Sequence, residues 1–415
     1  MGPATAAAML RPALLVPAGA LVLSVLLGAG CNPKASGPSS TGVPAPGSAA
    51  VAEACVRVDG GFGPSGASEI RVETVASGLR VPWGVAFLPG GDALVTERPG
   101  RLRLVRGATG DAARLVPEPV ATVEIGSTSE GGLLGIALHP DFEATRLFFL
   151  YVTTATDEGA TNRVERWRLA PDATTATLDR VVYDRLPAAR FHNGGRLRIG
   201  PDAMLYVGTG DARRPSFSQD PANPAGALLR LTLDGAVPDD NPTPGSAVVL
   251  SGIRNTQGWD WPDPADAGLF WMTDHGPSGE LLRRGHDEVS IARAGDNLGW
   301  PTIYGCEEED GMRTPALTWS RAAPPGGAAI YTGTAIPEWR GSLIIGTLGS
   351  RHLHRVEIRD GRVAAHEGYL EGDGGEGRLR DVLMGPDGEL YVTTSNCDGR
   401  GSCPPEGDRL LRITR

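Results

Sequence analysis

His192 sits in the stretch "RFHNGGRLRIGPDAMLYVGTGDA" (residues 190–212), ahead of a Gly pair and of alternating apolar residues that run into a second Gly-rich turn. An unperturbed imidazole titrates near 6.5, so a histidine at the mouth of a strand can take a proton at neutral pH and return it to water. Taken alone, the same ring could simply satisfy backbone groups at the end of a hairpin. Arg378 and Arg380, in "GRLRDV", stand two residues apart. Strand alternation puts such a pair on one face, where two guanidiniums can meet one anion or lie in solvent. His352 and His354 repeat that spacing in "SRHLHRV". A metal pair is one reading of them, and alternation in a solvated hairpin is the other.

Strands must hold these residues, and the chain supplies them in a loose repeat. "VPWGVAFLPGGDALVTE", "GLLGIALHPDFEATRLFFLYV", "GGRLRIGPDAMLYVGTGD", "TQGWDWPDPADAGLFWMTDHG" and "LRDVLMGPDGELYVTTS" each join two apolar strands through a Pro/Asp/Gly turn. The turn residues set the reversal, and the β-branched and aromatic residues bury one face of an antiparallel hairpin. "GSLIIGTLGSRHLHRVEI" adds a sixth hairpin without the Pro-Asp turn. Recurrence every few tens of residues is the mark of blades, so the expected fold is all-β: a six-bladed β-propeller of antiparallel four-stranded blades over residues 70–415. A pair of β-sandwiches is the rival architecture.

Composition agrees with strands and turns: the 415 residues include 58 Gly and 34 Pro, with no sustained helical period beyond the N-terminus. The net charge of −10 and the scattered basic residues carry no footprint for nucleic acid.

The first residues look like an address. Arg11 precedes the apolar run "PALLVPAGALVLSVLLGAG", which ends directly before Cys31. Residues 1–31 therefore resemble a bacterial lipoprotein signal in which Cys31 is lipidated, although Gly28 stands where a Leu is usual and Leu27 falls one residue early. Secretion without a lipid, or an uncleaved anchor, are the alternatives. The expectation is export to the periplasmic or cell-surface side, with contact to the membrane through the lipid alone. Residues 32–69 begin with Pro, Gly, Ser and Ala and read as a flexible tether and lead-in. Four further cysteines suit an oxidising compartment. Cys397 and Cys403 are close enough to bridge within "NCDGRGSC", with Cys55 and Cys306 as the remaining pairing, and free thiols are the alternative.

Seven phrases, in order, carry a resemblance: "VPWGVAFLPGGDALVTERPGRL", "EGGLLGIALHPDF", "HNGGRLRIGPD", "GIRNTQG", "DHGPSG", "GDNLGWP" and "GRLRDVLMGPDGELYVTT". Together they resemble the soluble glucose/sorbosone dehydrogenases that use pyrroloquinoline quinone (PQQ), and within them the aldose sugar dehydrogenase branch. The resemblance implies that His192 is the general base for the sugar's anomeric hydroxyl. It implies that Arg254 and Asn255 face the quinone, with Gln257 behind them, and that Arg254 stabilises charge developing as hydride arrives. Glu130 falls near sugar and cofactor, and Arg378 and Arg380 reach the quinone carboxylates.

The same resemblance implies a Ca²⁺ bound by the backbone carbonyls of Gly276 and Pro277. Asp287 and Glu288 would orient that turn or hold a second calcium. "SGELLRRGH" looks like a small insertion between these two parts. Glucose-specific members set a lysine against the quinone, but the chain's one lysine is Lys34. Gly349 stands near the lost position, with Arg351 two residues on. The implied activity is oxidation of an aldose sugar to a lactone, with electrons passed to a diffusible acceptor. A non-catalytic sugar-binding lipoprotein and a calcium-dependent propeller lactonase are the alternatives.

Overall fold

The computed structural model describes residues 2, 55–126 and 129–415. The signal-like segment, Cys31 and Lys34 lie outside the described residues. Six small antiparallel sheets follow one another along the chain as the blades of a propeller. Their first strands are Pro82–Phe87, Leu133–Leu138, Leu197–Ile199, Gly258–Asp260, Pro325–Ile330 and Leu379–Met384. The last blade takes its outermost strand, Arg71–Leu79, from the N-terminal side, paired with Asp408–Thr414, so the two ends of the domain close the ring together.

Each hairpin read from the sequence is present, with the turn where its Pro, Asp and Gly residues stand. "GSLIIGTLGSRHLHRVEI" forms the second and third strands of the fifth blade, Leu343–Thr347 and Leu353–Arg359. The inner strand of that blade, "PGGAAI", carries no turn signal.

A blade exposes two apolar faces and cannot bury either alone, so the core is divided among blade interfaces. Between the second and third blades, Phe149, Tyr151, Leu205, Val207 and Leu229 pack together, all essentially inaccessible. Between the third and fourth, Tyr206 and Leu228 meet Trp259, Phe270 and Met272. Burying one such large side chain contributes roughly 1.5–3 kcal/mol. Towards the axis the blades meet main chain to main chain: Gly135 N donates to Gly195 O at 3.0 Å, and a Cβ on Gly135 would stand 2.2 Å from that oxygen.

The lead-in is tied down from Cys55 onward. Val56–Val58 adds a parallel strand beside Leu317–Trp319, and the Cys55–Cys306 bridge fastens it. The second disulfide, Cys397–Cys403, closes a loop of the last blade.

His352 and His354 correct the expectation of a solvated hairpin, since both are fully buried. Thr347 Oγ1 gives its proton to His352 O, so His352 Nδ1 donates to that hydroxyl, and His352 Nε2 then accepts from His354 Nδ1 at 3.1 Å. Phe62 and Trp319 cover the two rings. Among the described residues no group of three or more His, Cys, Asp or Glu could hold a metal ion.

Candidate active site

All six blades contribute to the lining of one cavity of about 470 Å³, through Arg98, Glu130, His192, Arg254, Leu348 and Arg378 among others. The chain reaches His192 in a left-handed conformation, φ 63°, and continues through Gly194 at the same angle. A Cβ at Gly194 would stand 2.4 Å from Gly208 O, so only glycine lets the loop lie on the neighbouring strand. A non-glycine residue at positive φ stores strain, and here the strain turns an imidazole into the cavity.

Asp211 fixes that imidazole. His192 Nδ1 lies 2.7 Å from Asp211 Oδ1, an oxygen that also accepts Arg213 N, while Asp211 Oδ2 accepts Trp300 Nε1 at 2.9 Å. A carboxylate accepting on both oxygens leaves Nδ1 as the donor, so Nε2 presents its lone pair. Glu130 Oε2 accepts His192 N at 3.2 Å, which pins the backbone as well.

Asp274 sets the Arg254–Asn255 pair by accepting both backbone N–H groups at 2.7 Å. Burial pushes the Asp274 carboxyl up to about 7 against those bonds. The Asn255 side-chain carbonyl accepts Gly194 N at 2.9 Å, so this residue also braces the histidine loop. Arg254 Nη2 donates to both oxygens of Glu280 at 3.1 Å, and its buried Nε has no protein partner.

Glu280 itself comes from the "SGELLRRGH" segment, and its Oε1 also stands 3.8 Å from His192 Nε2. Burial raises the Glu280 carboxyl, but Arg254 and Ser278 N outweigh it and hold it down at about 2.

The far wall is a group of guanidiniums. Arg378 gives Nε and Nη2 to Asp398 Oδ2 at 3.0 and 2.8 Å, and Nη1 to Leu348 O at 3.2 Å. Arg380 is buried; Nη1 bonds Gln257 Oε1, Nε has no protein partner, and the guanidinium faces the Trp83 ring. Burial, with Arg378 and Arg98 adding repulsion, pushes Arg380 down to about 9. Buried cations held together with unbonded N–H groups are chemically fitted to a polyanion.

Gly276 and Pro277 lie in the loop after Leu269–Asp274, with Gly276 N held by Asp287 and Pro277 O accepting Gly285 N at 3.0 Å, and neither residue lines the cavity. Asp287 Oδ1 accepts Gly276 N at 2.9 Å and Oδ2 accepts Ala323 N at 2.6 Å, while Glu288 Oε1 accepts Gly305 N at 3.0 Å. Burial pushes Asp287 up to about 6 and Glu288 well above the ordinary carboxylate range. Asp287 and Glu288 do not line the cavity. Asp287 braces Gly276 from behind, while Glu288 holds the Gly305 loop.

Gln257 lines the cavity directly instead of standing behind it. Gly349 lines it too, whereas Arg351 is exposed elsewhere and does not replace the missing lysine. Arg98, Phe191, Asp211, His275, Glu280 and Arg400 were not singled out from the sequence. Of these, Asp211 carried a signal: continuing the hairpin pairing of Leu197 with Val207 outward sets His192 opposite Ala212, beside Asp211.

The glucose/sorbosone dehydrogenase family model matches residues 79–412. The aldose sugar dehydrogenase YliI of Escherichia coli is 32% identical over 352 residues, covering 80% of this chain and 91% of its own. The PQQ-bound form of the aldose sugar dehydrogenase from Streptomyces coelicolor is 34% identical, with a TM-score of 0.71 over 83% of this chain and 98% of its own. An oxidoreductase of Thermus thermophilus with a glucose dehydrogenase assignment is 41% identical, with a TM-score of 0.74 over 83% of this chain and all of its own. A family match running from the first blade to the last strand, on the six-bladed fold and around one histidine-and-arginine cavity, means that this chain belongs to the glucose/sorbosone dehydrogenase family.

Proposed function

We propose that this protein is a PQQ-dependent quinoprotein dehydrogenase that oxidises aldose sugars at the anomeric carbon to lactones and passes the electrons to a diffusible acceptor. The observation that carries the reading is a single cavity holding both an oriented imidazole with a free Nε2 and buried guanidiniums with unbonded N–H groups. It is supported by the PQQ-bound form of a relative at 34% identity. When bound, PQQ supplies the two-electron acceptor for hydride. Arg254, Arg378 and Arg380 would hold its carboxylates and carbonyl oxygens, with Asn255, Gln257 and Glu130 completing the polar lining. His192 Nε2 takes the proton of the anomeric hydroxyl, and Asp211 stabilises the imidazolium that results.

Calcium is the second proposed group. The Gly276 and Pro277 carbonyls are hard oxygen donors of the kind Ca²⁺ prefers, next in sequence to the cavity residues His275 and Ser278, with Gly276 N held by Asp287 and one lone pair of Pro277 O taken by Gly285 N. A lactonase would need carboxylates free to surround a metal, but the cavity carboxylates Glu130 and Glu280 are each tied to an arginine. A purely sugar-binding propeller leaves the buried guanidiniums without a purpose, and a cavity of about 470 Å³ falls in the range of small-molecule sites. Export, with a lipid anchor at Cys31, belongs to the same proposal and is supported by two disulfides in the fold. Adding PQQ and Ca²⁺ to apo-protein and following dye reduction across a panel of aldoses tests it. Reduction that needs both PQQ and a sugar is expected, and no PQQ binding would end the dehydrogenase reading.

A further inference from the structure

The Cys397–Cys403 bridge closes the short loop "CDGRGSC" with its Cα atoms 4.3 Å apart. Two side chains leave this loop in different directions. Asp398 Oδ2 accepts Nε and Nη2 of Arg378, and its Oδ1 accepts Arg400 N at 2.9 Å. Arg400 reaches across the cavity mouth, where Nη1 donates to Glu130 Oε1 at 2.7 Å and the guanidinium lies over the Phe191 ring. Glu130 in turn accepts His192 N and donates its own N–H to Arg190 O, both at 3.2 Å. A continuous chain of charge-assisted bonds thus runs from the sixth blade to the segment before the second and on to the histidine loop before the third.

The loop that anchors this chain has Gly399 and Gly401, residues with the largest backbone freedom to lose. Its base is pinned where Asp408 accepts Asn396 N and Cys397 N. A Cβ on Gly401 would stand 2.7 Å from Arg378 Cδ, so the loop also packs along that arginine. Closing so short a loop covalently removes the conformations in which Asp398 and Arg400 point elsewhere.

We propose that the disulfide-closed loop Cys397–Cys403 is a clamp that positions both the anion-facing Arg378 and the His192 loop, with Asp398 and Arg400 as its positioning residues. The cofactor part of this inference rests on the PQQ reading above; the clamp itself does not. The test compares wild type with the full-length double variant Cys397→Ser/Cys403→Ser, and with Cys55→Ser/Cys306→Ser, which removes the bridge that does not touch the cavity.

In apo-protein, hydrogen–deuterium exchange across 189–196 and 376–380 is expected to quicken by roughly tenfold or more in the first variant and to stay unchanged in the second. Faster exchange confined to 396–404 overturns the clamp. Arg400→Met, which keeps the disulfide, should quicken 189–196 alone, and Arg400→Lys should restore it; equal exchange in both variants also overturns the proposal.

In a PQQ titration of the same proteins, the Kd of the Cys397→Ser/Cys403→Ser variant should rise by about tenfold, the size expected from loosening a charge-assisted contact. An unchanged Kd overturns the cofactor part. Failure of wild type to bind PQQ would instead remove the dehydrogenase reading, and the exchange comparison would still decide the clamp.

Discussion

His192 Nδ1 and Asp211 Oδ1 stand 2.7 Å apart, on the two arms of one hairpin that meet where Ala212 N donates to His192 O. The pairing that builds the blade therefore also fixes which nitrogen of the imidazole faces the cavity. Fold and chemistry share a register here.

Asp211→Asn leaves a side chain that can donate to Nδ1 and stabilise the wrong tautomer. Turnover is expected to fall by roughly 100-fold or more while PQQ affinity stays within about twofold, as read by steady-state kinetics and cofactor titration. Equal loss of both would mean that the residue only supports the loop.

Glu280 competes for Arg254, since both of its oxygens accept from Arg254 Nη2. Glu280→Gln should therefore tighten PQQ by roughly three- to tenfold, most clearly at low salt where charge effects are least screened. Weaker PQQ binding in this variant would show that the carboxylate helps to build the cofactor site.

Arg380→Met exchanges a buried, partly unbonded cation for an apolar side chain of similar length. The apo-protein should melt at the same temperature or a few degrees higher, whereas PQQ affinity should drop by about 100-fold. A large loss of apo stability would indicate that Arg380 serves the fold.

Burial holds His352 down at about 4 and His354 well below the ordinary imidazole value. Below about pH 6.5 the unfolded chain takes up protons that these rings refuse in the folded state. Their contribution is complete above pH 6.5 and is lost as pH falls towards 4, on the order of 1–2 kcal/mol for His352 at pH 5. Asp274 and Asp287, lifted by burial, act in the opposite sense across part of that range, so the readout is a difference. Melting curves at pH 7 and pH 5 should show a smaller drop for His352→Gln than for wild type; equal drops would contradict this.

The sequence made most of the architecture legible because five of the six blades repeat the same turn chemistry, and its Pro, Asp and Gly residues act locally. The inner strand "PGGAAI" escaped notice because its glycines answer to a neighbouring blade: a Cβ on Gly326 would stand 2.4 Å from Arg380 O. Among the site residues, His192, Arg254, Arg378 and Arg380 lie in phrases with recognisable spacing and share one cavity. Glu280 and Arg400 were hidden for the opposite reason. They sit in Gly-rich loops whose direction depends on distant partners, and Arg400 meets Glu130 across 270 positions of sequence.

The most direct measurement compares wild type with His192→Ala, both saturated with PQQ and Ca²⁺, for sugar-dependent dye reduction, alongside the PQQ Kd of each. The expected result is sugar-dependent reduction by wild type, and in the variant an unchanged Kd with turnover lower by roughly 100-fold or more. Undiminished turnover by PQQ-saturated His192→Ala, or a wild-type protein that binds no PQQ, would contradict it.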